Sequence, residues 1–133
     1  MVREPAQSDV HEVIRGLVGF NERHAPPEDW QRLAAFVRDS DGHILGGVIG
    51  ETHWNWLCVS HLWLSDELRG RGLGRELMAS IEHSASEHGC DMVQLDTYDF
   101  QALPFYEHLG FEEFGELPNS PSGHARHFLW KRL

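Results

Sequence analysis

The chain has 133 residues, 41% hydrophobic and 24% charged, the size and balance of one folded domain rather than a disordered segment. Its 21 acidic residues against 11 basic ones give a formal charge of −10, which argues against a nucleic-acid partner, because a polyphosphate needs a basic face. No stretch approaches the roughly twenty apolar residues of a membrane span, the N-terminus MVREPAQSDV lacks an apolar signal core, and Cys58 and Cys90 form no CxxC pair. A soluble, cytoplasmic protein without membrane association is therefore expected. The basic residues are lopsided: Lys131 is the only lysine, and Arg69, Arg71 and Arg75 crowd into seven positions.

Along the chain, Val10, Val13, Ile14, Leu17 and Val18 recur at helical spacing, with Asp9 and Glu12 reading as a capping box and Pro26–Pro27 as a stop. Gly16 and Gly19 weaken this helix, so it needs tertiary support. Arg32 to Arg38 reads as a strand, Asp39 to Gly42 as a turn, and His43 to Thr52 as the returning strand, where Gly46, Gly47 and Gly50 suggest a close backbone approach or a bulge. A third strand runs from about Asn55 to Leu64. Leu57 and Val59 take one parity and Leu62 and Leu64 the other, which requires an extra residue, so a bulge is expected around Ser60–His61.

A helix follows the segment LSDELRGRGLG, with Leu73, Leu77, Met78, Ile81 and Ala85 on its apolar face and Gly89 ending it. Met92 to Tyr98 reads as a strand, Gln101 to Leu109 as a short helix stopped by Gly110, and Phe111 to Gly115 and His127 to Lys131 as closing strands. The layout is α/β (α+β) around one mixed sheet, as a single domain over 1–133.

The segment Arg69-Gly70-Arg71-Gly72-Leu73-Gly74 joins a strand to a helix. Its glycines let backbone N–H groups approach a ligand, the helix start adds unpaired donors and partial positive charge, and Arg69, Arg71 and Arg75 add full charges. Together these describe a pyrophosphate cradle. The Walker ending GK[ST] is absent, and a GxGxxG fingerprint from Gly70 fails at Arg75.

The strand, the bulge, the Arg-x-x-Gly-x-Gly turn and the following helix resemble the acetyl-CoA motif of the GNAT N-acetyltransferases. The stretch from Leu95 to Phe111, with Ala102, Tyr106, Gly110 and Phe111, resembles that family's second signature, in the right order. The resemblance covers roughly positions 30 to 133. It implies a mixed, mostly antiparallel sheet with splayed middle strands, flanked by helices. It also implies acetyl-CoA as co-substrate, with Leu62, Trp63 and Leu64 offering backbone to the pantetheine arm and Arg69 to Arg75 holding the pyrophosphate. Tyr106 matches a tyrosine near the cofactor sulfur. Asp99 stands where many members have an asparagine on the pantetheine arm, with Gln101 as a substitute. The family's first strand is poorly represented, because MVREPAQS is short and polar.

Acetyl transfer from a thioester to an amine needs a proton acceptor for the amine, a donor for the leaving thiolate and N–H groups for the oxyanion. Tyr106 is the expected general acid. Glu51 is the first choice of base, with His53, His61 or a water chain as alternatives. The ten histidines are scattered, and His124-x-x-His127 does not converge, so no metal is expected. Trp54, Trp56 and Trp63 are core residues or the lining of an acceptor pocket, and the acidic surplus suits a cationic amine. The expected activity is direct transfer to a primary amine in a ternary complex, with Cys58 keeping an acyl-enzyme route open. The alternatives are a non-catalytic acyl-CoA-binding module and a protein N-acetyltransferase. A homodimer is also open, because dimers are the commonest assembly.

Overall fold

A computed structural model describes all 133 residues. The elements in chain order are α1 (Gln7–Glu22), β1 (Gln31–Arg38), β2 (Ile44–His53), β3 (Trp56–Leu64), α2 (Leu73–Glu87), β4 (Met92–Tyr98), α3 (Leu103–His108), β5 (Glu112–Pro118) and β6 (Ala125–Arg132). The strands form one sheet in the order β1-β2-β3-β4-β6-β5. Every neighbouring pair is antiparallel except β3–β4, which is parallel and therefore needs the long crossover that α2 provides. No strand precedes α1, in line with the polar first residues.

One face of the sheet carries the core. Val48, Leu57, Val59, Val93, Leu95 and Leu129 meet Leu77, Met78, Ile81 and Ala85 of α2, and Tyr106 and Phe111 close the end. Of the face predicted for α2, Leu77, Met78, Ile81 and Ala85 are buried and Leu73 is half-buried. Its end is a Schellman motif: Gly89 takes φ 101°, Cys90 N–H donates to Ala85 O at 2.9 Å and Gly89 N–H to Ser86 O at 3.0 Å. The same device ends α3, where Phe111 N–H donates to Tyr106 O at 3.1 Å, so Gly110 sets the position of the Tyr106 turn.

Two readings of α1 are corrected. Its N-cap is Ala6 with no side-chain bond, so Asp9 is not a cap; it lies in the first turn, where a carboxylate still favours the helix dipole. Its apolar face also finds no support within the chain. None of its residues is buried, and Val13, Ile14 and Leu17 are 74%, 52% and 61% exposed.

The connection from α1 to β1 is fixed to the body. Trp54 donates its indole N–H to Pro26 O and its backbone N–H to Glu28 O, both at 2.8 Å. The buried Thr52 hydroxyl donates to Asp29 O at 3.0 Å and accepts from Gln31 N–H at 2.9 Å.

Candidate active site

The parity change in β3 produces the opening. The β2–β3 register pairs Gly50 with Val59 and Ile49 with His61, skipping Ser60, whose hydroxyl donates to Ile49 O at 3.1 Å. Ser60 is thus the extra residue, within the bulge expected there. Leu57 and Val59 before it and Leu62 and Leu64 after it all pack on the same core. Gly50, beside the bulge, is tight: a Cβ there would lie 2.8 Å from Cys58 O.

β3 and β4 pair only from Trp56–Met92 to Val59–Leu95. Beyond that rung β4 stays bonded to β6, and the edge of 60–64 facing β4 has no strand partner. The result is a V-shaped mouth. Backbone from Leu62, Trp63 and Leu64 lines one side of it, and Asp96, Thr97 and Tyr98 line the other. The Leu62 and Leu64 side chains face the core, while Trp63 points to the opposite face and is 54% exposed.

The glycine-arginine turn lies at the open end. Gly70 and Gly72 have φ of 77° and 80° with open space where a Cβ would be. Gly72 is the N-cap of α2 and no side chain caps the helix, so the N–H groups of its first turn, Leu73 to Arg75, have no side-chain acceptor. Arg69 pairs with Asp66 at 3.3 Å, whereas Arg71 and Arg75 are exposed and make no ion pair. Uncapped donors beside two unpaired guanidinium groups fit a diphosphate. Gly74 serves packing instead, since a Cβ there would meet the Phe105 ring at 3.3 Å.

Tyr106 is buried on α3 between the rings of Phe105 and Phe111, at centroid distances of 5.1 and 5.9 Å. Its hydroxyl makes no hydrogen bond within the protein. Burial, followed by the charge of Asp96, pushes its pKa up to about 12, so it remains a neutral donor.

Three sequence readings look different in three dimensions. Glu51 accepts from Arg32 Nη2 at 2.8 Å, Arg32 Nε at 3.2 Å and the Trp30 indole at 3.3 Å, with His53 Nε2 3.6 Å away. The Arg32 bonds foremost, then the Trp30 bond, hold its carboxyl below the usual range, which makes it a weak base. Its cross-strand partner is Cys58, before the bulge rather than at the mouth. Asp99 is likewise committed: one oxygen takes His124 Nδ1 at 2.8 Å and the other Ala125 N–H at 3.0 Å. Gln101 spends its amide oxygen on Thr97 Oγ1 and Tyr98 N–H, leaving its NH₂ group open.

His61 is the histidine at the bulge. Because the Ser60 hydroxyl donates to Ile49 O, its oxygen accepts from His61 Nδ1–H, 2.9 Å away. That tautomer leaves Nε2 with a free lone pair. His53 is instead tied to the Glu28 carboxylate through Nδ1.

Below the apex of the mouth, on the face opposite α2, lies a cavity of about 510 Å³ lined by His53, Trp54, Trp56, Cys58, Gln94 and Phe114. Cys58 and Gln94 form the rung next to the last, with Gln94 Nε2 donating to the sulfur at 3.0 Å. Burial above all pushes the Cys58 thiol up. Sequence periodicity did not reveal Gln94 or Phe114, because both join the site through cross-strand register. A larger cavity of about 680 Å³, between Pro26, Asp29, Trp54 and His88, lies at the far end of the sheet, away from the mouth. His124 pairs with Asp99 and His127 with Glu113, and Glu113, Glu116 and His127 bring their ligand atoms within 4.8 Å of one another.

The chain matches the model of the Acetyltransferase (GNAT) family over residues 9–111. It is similar to a blasticidin-S acetyltransferase of Streptomyces morookaense, 39% identical over 101 residues covering 75% of this chain and 74% of that one. It is 32% identical over 134 residues to an acetyltransferase of Agrobacterium fabrum, covering 100% and 98% of the two chains. Among solved structures, an acetyltransferase from Bacillus cereus superposes with a TM-score of 0.89 at 29% identity, covering 100% of this chain and 97% of the other.

Proposed function

The chain belongs to the GNAT acetyltransferase family and is an acyl-CoA-dependent N-acetyltransferase, and on that premise we propose that it acetylates a primary amine of a cationic small molecule by direct attack in a ternary complex. The observation that carries this reading is the adjacency of mouth and cavity. The apex, where a thioester entering between β3 and β4 stops, abuts a cavity lined by Trp54, Trp56 and Phe114. Aromatic faces attract a cation, and the formal charge of −10 on the chain favours one. The name of the Streptomyces relative, an antibiotic acetyltransferase, points the same way for the size of the acceptor.

In this mechanism the diphosphate of acetyl-CoA rests on the N–H groups following Gly72 and on Arg71 and Arg75, and the pantetheine arm pairs with the free edge of 62–64. The amine nitrogen attacks the thioester carbonyl carbon, and an unpaired N–H of the bulge receives the developing oxyanion. The amine proton goes to His61 Nε2, directly or through a water, and the C–S bond breaks toward Tyr106. A phenol with a pKa of about 12 does not fully surrender its proton to a thiolate whose conjugate acid lies near 8.5, so Tyr106 acts by hydrogen bonding. The raised pKa of Cys58 supports direct attack over an acyl-enzyme, since the thiol is the form present.

The test is thiol release from acetyl-CoA across an amine panel containing nucleoside and aminoglycoside antibiotics, polyamines, amino acids and peptides with free N-termini. Turnover confined to cationic small amines is the expected result. Turnover confined to the peptides would replace this reading with protein N-acetylation. Acetyl-CoA stabilising the fold with no turnover on any amine would replace it with a binding module.

A further inference from the structure

The helix α1 and the sheet face opposite α2 are two unpartnered surfaces of the same chain. Of the sixteen residues of α1, only Val10 and Asn21 are even partly shielded. On the sheet, Phe36 and Trp63 flank Gly47 in one cross-strand row and are 47% and 54% exposed. No helix of the chain covers that row, because α2 and α3 both pack on the other side.

We propose that the protein is a dimer in which α1 of each subunit reaches out and covers the β1–β3 part of the partner's open sheet face. The alternative, α1 folding back on its own sheet, is opposed by the hinge. His24 and Ala25 N–H groups still bond to Asn21 O at 2.9 and 2.8 Å, extending the helical path past Glu22, and the very next residue, Pro26, is held by the Trp54 indole. Glu28 and Asp29 are held by Trp54, His53 and Thr52 in turn. With 26–29 anchored, folding α1 back would have to break the His24 and Ala25 bonds to Asn21 and reverse the chain within residues 23–25. A second copy leaves these bonds intact.

Size also selects a reciprocal exchange. A sixteen-residue helix is ~24 Å long and ~10 Å wide, so one docked helix buries ~500 Å² counted on both surfaces. That falls short of the ~1,000 Å² that a specific interface needs, whereas two symmetric dockings reach it. A two-fold axis relating the pair closes the assembly. The proposal does not depend on the acetyl-transfer reading, although the covered face also carries His61.

The test is light scattering on the full chain after size exclusion, at micromolar concentration. The expected mass is twice the 15.2 kDa of one chain. The double substitution Ile14→Asp with Leu17→Asp, and separately Phe36→Glu, are each expected to give the single-chain mass with near-UV circular dichroism retained, since neither touches the core. A wild-type mass of one chain overturns the proposal without need of any variant. A dimer that survives either substitution overturns it as well. Loss of the dimer with the α1 substitutions but not with Phe36→Glu would mean that helices pair with each other rather than with the sheet.

Discussion

Replacing Tyr106 by phenylalanine isolates one hydroxyl. The ring keeps its contacts with Phe105 and Phe111, and the hydroxyl leaves no protein partner unsatisfied, so stability should change little. The kinetic cost follows from the raised pKa. Full proton transfer from a group at about 12 to a thiolate near 8.5 is uphill by about 5 kcal/mol, so the hydroxyl contributes a hydrogen bond to an anion. Such a bond is worth about 1.5–3 kcal/mol, which predicts a fall in kcat of about 10- to 150-fold with the KM for acetyl-CoA nearly unchanged. Because the phenol stays protonated throughout, the ratio of wild-type to variant kcat should be flat from about pH 6.5 to 9.5. Thiol release at saturating amine measures it. A variant within about threefold of wild type, or a ratio that collapses as pH rises through the thiol range, refutes the reasoning.

Glu51→Gln should leave kcat within about threefold and stability within about 1 kcal/mol, as for an exposed ion pair; a hundredfold loss would restore Glu51 as the base. Exchanging both Arg71 and Arg75 for alanine should raise the KM for acetyl-CoA by about tenfold or more and flatten its dependence on salt, while kcat holds. An unchanged KM would remove the diphosphate from this turn. Thr52→Val strands the Gln31 N–H and the Asp29 carbonyl and should lower unfolding free energy in urea by about 1–3 kcal/mol. The His127 pKa is raised, chiefly by its bond to Glu113, so that pair stabilises fully below about pH 6.5 and its contribution is lost as pH rises through the folded value. Glu113→Gln should therefore reduce the melting temperature more at pH 5.5 than at pH 8.5, both being about one to two pH units from the reference value.

Those residues that act through the backbone were readable in one dimension. The bulge followed from the parity of Leu57, Val59, Leu62 and Leu64, and the glycine turn at the start of α2 from glycines at fixed offsets, because strand period and helix start are local properties. Side-chain chemistry was not readable in that way. Glu51 looked available until β1 brought Arg32 opposite it, and Asp99 until β6 brought His124 and Ala125 within reach. Gly74 looked like a ligand-facing glycine, and only the position of Phe105 shows that it makes room for a ring. The tautomer of His61 depends on a Ser60 hydroxyl whose own acceptor lies eleven residues away. For α1, periodicity identified the helix but not what its apolar stripe meets, since the stripe meets nothing within the same chain.

Ser60 makes the cleft hard to lose. Zipping β3 onto β4 along its whole length would require restoring the regular alternation with Ser60 drawn into the ladder as an ordinary strand residue. That one-residue slip would turn Leu62 and Leu64 toward solvent and drive His61 and Trp63 into the space beneath the sheet. A closed sheet could then form only with a wrecked interior. The gap between β3 and β4 is thus secured by the same packing that holds the protein folded.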